Sequence, residues 1–344
     1  MTTLLPVWPE RPVPMVNMFV DGEWRTDAHE STDDDGEFDR DETTFRDRLG
    51  GEFPAESGRY HLYVSRACPW AHGAAMVRSL MGLEDAVTMD VVDPYRDERG
   101  WQFTPEKDDC TPDTVNGFDY LGETYVAADP DYTGRVTVPV LWDRAEGTIV
   151  NNESVEIMET FSTAMGEFGN GVDLYPADIR EEVDEVVDAI YDPINNGVYR
   201  AGFAGTQEAY ERAVSGLFDA LDHWNDVLAD QRYLAGDGRR LTLADLRLFA
   251  TLVRFDSVYH THFKCNRRLI CQYEQLWPYV RDVYTTPGVA KTVNMEHIKE
   301  HYYRTHTGIN PTGFVAVGPD LDFAAPHDRD RLPGGPPEAL LETA

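Results

Sequence analysis

Lysine and long apolar runs are what this sequence has least of. Only four of its 30 basic residues are lysine, against 62 acidic residues and a formal net charge of −32. A surface this negative repels polyanions, so we expect no nucleic-acid partner. Because acidic residues spread from Asp27 to Asp330, the composition favours a cytosol of very high salt, where surface charges are strongly screened. An ordinary acidic protein with one acidic tail is the alternative.

No apolar run approaches the roughly 18 residues that a membrane span requires. The segment from Met1 to Pro14 is rich in proline and lacks the apolar core of a signal peptide. The four cysteines form no Cys-x-x-Cys pair, which favours free thiols in a reducing compartment. We therefore expect a cytoplasmic protein with no membrane partner.

One cysteine stands where a strand gives way to a helix. The run from Tyr60 to Val64 is typical of a strand, and Cys68-Pro69 precedes a helical stretch that reaches Leu80. Proline is well tolerated in a first helical turn, so Cys68 should lie at the helix N-terminus. Unpaired N–H groups there favour an anion and should depress the pKa of the Cys68 thiol. This pattern indicates thiol chemistry on a thioredoxin-like unit; a buried structural cysteine is the alternative.

A proline within a later strand supports the same fold. Residues 136–143 alternate as a strand, and Pro139 interrupts them. Thioredoxin-like folds place a cis-proline at such a position, facing the reactive cysteine. The backbone of Val138 could then pair with a thiol peptide as an added strand. An edge-strand proline is the alternative.

The segment after the next strand could recognise a γ-glutamyl group. Asn151 and Asn152 are predicted to cap a helix. Glu153 could pair with an ammonium group, while Ser154 and the N–H groups of the first turn could bind a carboxylate. Simple helix capping is the alternative interpretation.

The chain length suits two domains. Residues 1–58 show little helical or strand period and are predicted to form an extension. Residues 59–168 carry the α/β pattern, residues 177–318 carry helical apolar stripes, and residues 319–344 are predicted to be an extended or disordered tail. Within the helical part, Thr242 and Asp245 form a capping box, a structural feature that keeps Asp245 out of the catalytic set.

Several segments together resemble one family. The chain is similar to the glutathionyl-hydroquinone reductases, the Xi class of glutathione transferases, over roughly residues 50–318. The segments that carry the resemblance are 68–72, 100–103, 134–143, 149–154, 195–204, 251–260 and 301–304. The resemblance implies a thioredoxin-like N-terminal domain, an all-helical glutathione-transferase C-terminal domain and a homodimer.

The resemblance also implies a reaction and its residues. Cys68 thiolate would attack the sulfur of a glutathionyl-hydroquinone, releasing hydroquinone and leaving a mixed disulfide that a second thiol molecule resolves. Tyr199 and Tyr302 would hold the ring hydroxyls, and Tyr303, adjacent to Tyr302, is an alternative to it. Both Tyr199 and Tyr302 could instead be aromatic side chains of the core. The residues that the resemblance places against the thiol are Trp101, Arg135, Val138, Glu153 and Ser154. Arg135 could instead form a surface ion pair.

The co-substrate is expected to be glutathione or γ-glutamylcysteine, because both share the γ-glutamyl end, and no metal is expected. The spacings of His260, His262, His297 and His301 lack the other ligands of a zinc site. Two other functions use the same fold: a general glutathione transferase or glutaredoxin-like deglutathionylase, and a scaffold without catalytic activity. A scaffold would need neither Cys68 nor the tyrosine pair.

Overall fold

A computed structural model describes residues 15–30, 32–33 and 35–341. A four-stranded mixed sheet forms the centre of the N-terminal half. Its elements, with the helices between them, are β3 (Tyr60–Val64), α1 (Pro69–Leu80), β4 (Val87–Val91), α2 (Gly122–Ala128), β5 (Val140–Asp143), β6 (Thr148–Asn151) and α3 (Ser154–Ala164). The strands lie in the order β4-β3-β5-β6.

The central strand β3 is completely buried, which explains why its sequence is almost continuously apolar. It pairs in parallel with β4 and antiparallel with β5, so that Leu62 lies opposite both Met89 and Leu141. Helices α1 and α3 pack against each other, and α1 also packs against a helix of the C-terminal half. The carboxyl end of β3, where Cys68 follows, therefore opens toward that half.

The C-terminal half is mostly helical, and the two halves together confirm the predicted fold class. Its helices are α4 (Arg180–Ile190), α5 (Gly197–Phe203), α6 (Gln207–Val227), α7 (Leu243–Arg254), α8 (Leu276–Thr285) and α9 (Met295–Glu300), with α10 (Glu338–Leu341) near the end of the chain. The Thr242–Asp245 capping box opens α7 as predicted. Within the described ranges, no helix is both long and apolar enough to cross a membrane. The proposed domain boundaries stay predictions.

The N-terminal segment is more regular than its sequence pattern indicated. Strands β1 (Met15–Val20) and β2 (Glu23–Glu30) form an antiparallel hairpin whose turn is Asp21-Gly22. Both turn residues have positive φ, 49° and 75°, which Asp-Gly accepts at little cost. The expectation of little strand structure before residue 58 is therefore wrong, and the Asp-Gly turn was the signal that pointed to the hairpin.

The residues after 319, predicted to be extended or disordered, are largely irregular but pack on the helical half. Arg329 is fully buried and donates hydrogen bonds to the carbonyl groups of Leu228, Gln231 and Arg232. The ring of Phe323 lies 5.4 Å from that of Trp277, centroid to centroid. These contacts stabilise an irregular backbone whose sequence has no helical or strand periodicity from which it could be predicted.

Candidate active site

A cavity of about 870 Å³ lies at the carboxyl end of β3, between the two halves. Side chains from the sheet, from the helices and from the N-terminal segment line it. All eight residues singled out in the sequence are among them: Cys68, Trp101, Arg135, Val138, Glu153, Ser154, Tyr199 and Tyr302. Folding thus brings together residues that are up to 234 positions apart in the chain, between Cys68 and Tyr302.

Cys68 immediately precedes α1, with Pro69 in the first helical position as predicted. Its half-buried thiol donates to the carbonyl oxygen of Val138, with an S···O distance of 3.5 Å. The Val138–Pro139 peptide bond is cis, which confirms the predicted cis-proline facing the cysteine. The thiol and the backbone of Val138 are therefore adjacent on one wall of the cavity.

The prediction of a depressed thiol pKa is wrong. Burial raises the pKa of Cys68 above its ordinary value. The backbone N–H groups of Ala71 and Trp70 and the guanidinium groups of Arg254 and Arg40 act in the opposite direction, but they do not outweigh burial. The helix N-terminus contributes as expected, and the low dielectric of the surroundings is the larger effect.

A buried arginine from the helical half holds the chain just before the cysteine. Arg254 donates to the carbonyl oxygens of Ala67 and Arg66, both at 2.9 Å, and to that of Ala250 at 2.6 Å. Its Nη1 also lies 3.0 Å from Nδ1 of His72 on α1. Arg254 therefore fixes the Cys68 loop to α7 across the boundary between the halves. No local sequence pattern indicated this role.

The side chain of His72 belongs to this brace. Since Arg254 can only donate, Nδ1 of His72 accepts, and Nε2 donates to the Thr292 hydroxyl at 2.8 Å. That hydroxyl in turn donates to the carbonyl of Val289. Burial, with the charge of Arg254, lowers the pKa of His72 well below its usual range. His72 is thus a neutral, buried support.

Three tyrosine hydroxyls form a hydrogen-bonded cluster on the helical side of the cavity, and two of these tyrosines, Tyr199 and Tyr302, line the cavity itself. The hydroxyl of Tyr302 lies 2.5 Å from that of Tyr199 and 2.9 Å from that of Tyr259. Burial raises the pKa of each tyrosine, so all three are protonated near neutral pH. Trp70, two residues after the cysteine, stacks on Tyr199 with a centroid distance of 6.2 Å. The sequence identified Tyr199 and Tyr302 and missed Tyr259.

Two of these tyrosines lie on π-helical segments that continue α-helices. Phe255–Tyr259 extends α7, and His301–Thr305 extends α9. A π-turn shifts the side-chain register, and such turns occur frequently at functional sites. The second segment directs Tyr302 to the cavity, whereas the hydroxyl of Tyr303 donates to the carbonyl of Ser257 at 3.0 Å. The structure thus distinguishes two neighbouring tyrosines that the sequence left ambiguous.

Trp101 lines the opposite part of the cavity. The Trp101 ring stacks on that of His301, with 5.0 Å between centroids. The guanidinium of Arg96 lies 5.7 Å from the centroid of the Trp101 ring. The buried indole N–H has no hydrogen-bond partner in the part of the chain that the structure describes. A buried donor of this kind normally has a partner, so it is a candidate contact for a bound ligand.

Arg135 lies in the cavity wall and not on the outer surface. Its guanidinium is 4.0 Å from the carboxylate of Asp41, at the limit of an ion pair. Burial, together with the positive charges of Arg96 and Arg40, lowers the pKa of Arg135 to about 10. Three guanidinium groups of the cavity lining are therefore close enough to influence one another, and carboxylates such as that of Asp41 also line the cavity.

The prediction that Asn151 and Asn152 cap α3 is wrong. Glu153 is the N-cap residue and accepts from the N–H of Val155 at 3.4 Å. The side chain of Asn151 accepts from the N–H of Glu153 at 2.6 Å, and that of Asn152 accepts from the N–H of Phe45 at 3.1 Å. The asparagines therefore shape the turn before the helix and anchor the N-terminal segment, because their backbone is still extended.

Ser154 and Glu153 present their oxygens at the start of α3. The Ser154 hydroxyl donates to Glu153 at 3.3 Å and lies 3.5 Å from Nη1 of Arg247. Thr43, from the N-terminal segment, donates to the other carboxylate oxygen of Glu153 at 3.3 Å. A carboxylate, a hydroxyl and helix N–H groups are thus available to one ligand carrying both charges.

The N-terminal segment forms one wall of the cavity, which the sequence did not predict. Phe38, Arg40 and Thr43 line it, and Arg46 joins the segment to α3 through a hydrogen bond to Glu156 at 2.8 Å.

The histidines noted in the sequence do not assemble a metal site. Among the described residues, no group of three or more His, Cys, Asp or Glu side chains could hold a metal ion.

Comparisons with known proteins agree with this architecture. The family model for the glutathione S-transferase N-terminal domain matches residues 67–164, and that for the C-terminal domain matches residues 207–282. A glutathionyl-hydroquinone reductase from Sphingobium chlorophenolicum, PcpF, is 48% identical over 88% of this chain and 96% of its own length.

Solved structures extend the comparison. A Xi-class glutathione transferase from the halophile Natrialba magadii is 60% identical, with a TM-score of 0.88 over 94% of this chain and 99% of its own. The glutathione-bound structure of YqjG, a glutathione transferase homologue from Escherichia coli K-12, is 44% identical, with a TM-score of 0.83 over 91% of this chain and 99% of its own.

Proposed function

Because this chain belongs to the Xi class of glutathione transferases, the glutathionyl-hydroquinone reductases, we propose that it reduces glutathionyl-hydroquinones to hydroquinones through Cys68. The observation that carries the proposal is the cavity itself, whose lining combines a thiol at a helix N-terminus with Tyr199 and Tyr302, two tyrosines whose hydroxyls are hydrogen-bonded to each other. A thiol-disulfide exchange enzyme needs the cysteine, and an aromatic substrate also needs groups that hold its ring oxygens.

The thiol co-substrate binds along the sheet side of the cavity. The backbone of Val138 pairs with the cysteinyl part, while Glu153, Ser154 and the first turn of α3 hold the γ-glutamyl ammonium and carboxylate groups. Arg135 and the indole N–H of Trp101 supply a cation and a buried donor for the remaining polar groups. Glutathione and γ-glutamylcysteine share every group except the terminal glycine, so both are proposed co-substrates.

The reaction begins with proton loss from Cys68. In the keto tautomer of the conjugate, the ring carbon that bears sulfur also bears a hydrogen. Cys68 thiolate attacks the glutathionyl sulfur; an S–S bond forms, and the C–S bond breaks with its electron pair moving into the ring. The ring oxygen becomes a phenolate, which takes a proton to give hydroquinone. The thiolate of a second co-substrate molecule then attacks the mixed disulfide. This step releases the disulfide of the two co-substrate molecules and regenerates the Cys68 thiolate.

The tyrosine cluster can serve the ring oxygen in this step. Three hydroxyl groups carry three protons, and the two hydrogen bonds among Tyr199, Tyr259 and Tyr302 use two of them. The third proton is available to a ring oxygen. Because the raised pKa values keep all three groups protonated, the cluster remains a donor as negative charge develops.

The test is turnover of a glutathionyl-hydroquinone with excess glutathione or γ-glutamylcysteine in molar potassium chloride. We expect free hydroquinone from the wild type and none from Cys68→Ala, with a thiol adduct on Cys68 in the intact mass spectrum. Cys110→Ala is the matched control, since Cys110 is a half-buried free thiol outside the cavity. Conversion by Cys68→Ala at the wild-type rate would contradict the mechanism. Reduction of mixed disulfides alone would favour the deglutathionylase alternative.

We also propose that the enzyme works as a homodimer in a high-salt cytoplasm. The net charge of −32 and the similarity to a Xi-class enzyme from a halophile support high salt. Activity and oligomeric state, measured by light scattering from low to molar potassium chloride, test both points. A monomer with full activity at low salt would contradict them.

A further inference from the structure

Arg40 lies outside both matched family regions, yet its guanidinium occupies the aromatic wall of the cavity. The guanidinium carbon is 4.9 Å from the ring centroid of Trp70 and 5.0 Å from that of Tyr199. Nε donates to the side chain of Asn196, the residue before α5, at 2.8 Å. The guanidinium is therefore fixed between the residue two positions after Cys68 and a member of the tyrosine cluster.

The guanidinium of Arg40 forms no ion pair with the residues that the structure describes. No carboxylate in the described ranges lies within ion-pair distance of its guanidinium, although the protein has about twice as many acidic as basic residues. By contrast Arg46, six residues later on the same segment, forms an ion pair with Glu156 at 2.7 Å. The charge of Arg40 also lowers the pKa of both Cys68 and Tyr199. Burial outweighs this contribution and keeps both pKa values raised, but the contribution shows that the charge of Arg40 reaches both the thiol and the tyrosine cluster.

We propose that Arg40 stabilises the negative charge that the ring oxygen acquires when the carbon–sulfur bond breaks, and that it thereby adapts the site to hydroquinones of weak acidity. This inference rests on the proposed reductase function. An unpaired cation beside the tyrosine donors lies where the phenolate forms, in a partly desolvated cavity where such charges have a large effect. Arg40 is a positioning and charge-stabilising residue supplied by the N-terminal segment.

The experiment compares leaving groups of graded acidity. Wild type, Arg40→Gln and Arg40→Lys are assayed on glutathionyl conjugates of methyl-substituted, unsubstituted and chlorinated hydroquinones. We expect Arg40→Gln to lower kcat/KM by about 10- to 100-fold for the least acidic hydroquinone and by much less for the most acidic one. Arg40→Lys should recover most of the loss, because it keeps the charge but not the planar fork.

Two controls separate this role from a structural one. The glutathione mixed disulfide of 2-mercaptoethanol is also attacked by Cys68, but it releases a thiol, so Arg40→Gln should reduce it within about threefold of the wild type. Arg48→Gln removes a neighbouring arginine that pairs with Glu159 away from the cavity, and it should leave all rates unchanged.

Other outcomes overturn the inference. An equal loss of activity on every conjugate and on the mixed disulfide would show that Arg40 only maintains the fold. If the dependence of kcat/KM on the acidity of the released hydroquinone were the same in Arg40→Gln as in the wild type, the charge of Arg40 would not reach the ring oxygen. If the wild type reduces the mixed disulfide but no conjugate, the proposed function itself fails, and the inference fails with it.

Discussion

Replacement of Arg254 by methionine tests how the helical half controls Cys68. Arg254 is fully buried and makes four polar contacts, three with backbone carbonyl groups and one with the ring of His72. Two of those carbonyl groups belong to Ala67 and Arg66, immediately before Cys68. Methionine fills a similar volume without donors, so it removes the contacts and leaves little cavity.

The magnitude follows from the groups that lose partners. A hydrogen bond from a charged donor contributes about 1.5–3 kcal/mol, and an orphaned buried carbonyl costs about 1–3 kcal/mol. Removing the buried guanidinium also removes its own desolvation cost, which offsets part of the loss. We therefore expect the free energy of unfolding to fall by about 2–5 kcal/mol. Because the charge of Arg254 lowers the pKa of Cys68, that pKa should rise further above its ordinary value.

Two measurements check these expectations in molar potassium chloride. Urea unfolding followed by fluorescence gives the change in stability. The rate of Cys68 alkylation by iodoacetamide, measured against pH, gives the thiol pKa, and its midpoint should move to higher pH in Arg254→Met. Arg78→Met is the matched control, since Arg78 is a partly buried arginine of α1 that donates to the carbonyls of Val87 and Glu84. It should lower stability without moving the alkylation midpoint.

The reasoning would be refuted if Arg254→Met kept the wild-type alkylation midpoint while it remained folded. It would also be refuted if stability stayed within about 0.5 kcal/mol of the wild type, since four buried hydrogen bonds would then contribute nothing. An alkylation midpoint that moved equally in Arg78→Met would indicate a general loosening of α1 and not a specific brace.

Three further predictions concern other parts of the structure. Tyr302→Phe removes the hydroxyl shared by the cluster and should lower kcat on conjugates by about 10- to 100-fold while sparing mixed disulfides. Arg329→Met should expose the residues after 319 to limited proteolysis and cost about 2–4 kcal/mol in urea unfolding. Burial raises the pKa of Glu156, but hydrogen bonds from Arg46 and Asn151 hold it at about 2. The ionised Glu156 carboxylate therefore stabilises the folded state by up to about 2 kcal/mol above pH 4.5, and this contribution disappears toward pH 2. Glu156→Gln should lower the urea midpoint above pH 4.5 and have little effect near pH 2.

Much of the site was predictable because short segments carry it. The strand–Cys68–Pro69–helix sequence sets a helix N-terminus from local rules alone, and Pro139 in a strand-like sequence, directly before β5, points to the cis bond that faces the cysteine. The Glu153-Ser154 pair likewise follows from its place at the end of a strand. Local pattern also determined the sheet, the helical half and the capping box at Thr242.

Tertiary structure decided what depends on contacts distant in the chain. The thiol pKa reverses the local expectation, because burial is a property of the whole fold and outweighs the helix N-terminus at Cys68. Arg254 and Arg40 gain their roles from partners more than 150 positions away, Ala67 and Asn196 respectively, and no neighbouring residue marks them.

What the sequence by itself determined is therefore the chemistry available: one cysteine at a helix start, a cis-proline, aromatic hydroxyls and an acidic surface. Only the folded chain decided how these groups act on one another. It selected Tyr302 over Tyr303 through a π-turn, added Tyr259 to the cluster and placed the N-terminal segment as a wall of the cavity. The physical reason is that capping and periodicity act over a few residues, whereas desolvation and charge act over distances in space.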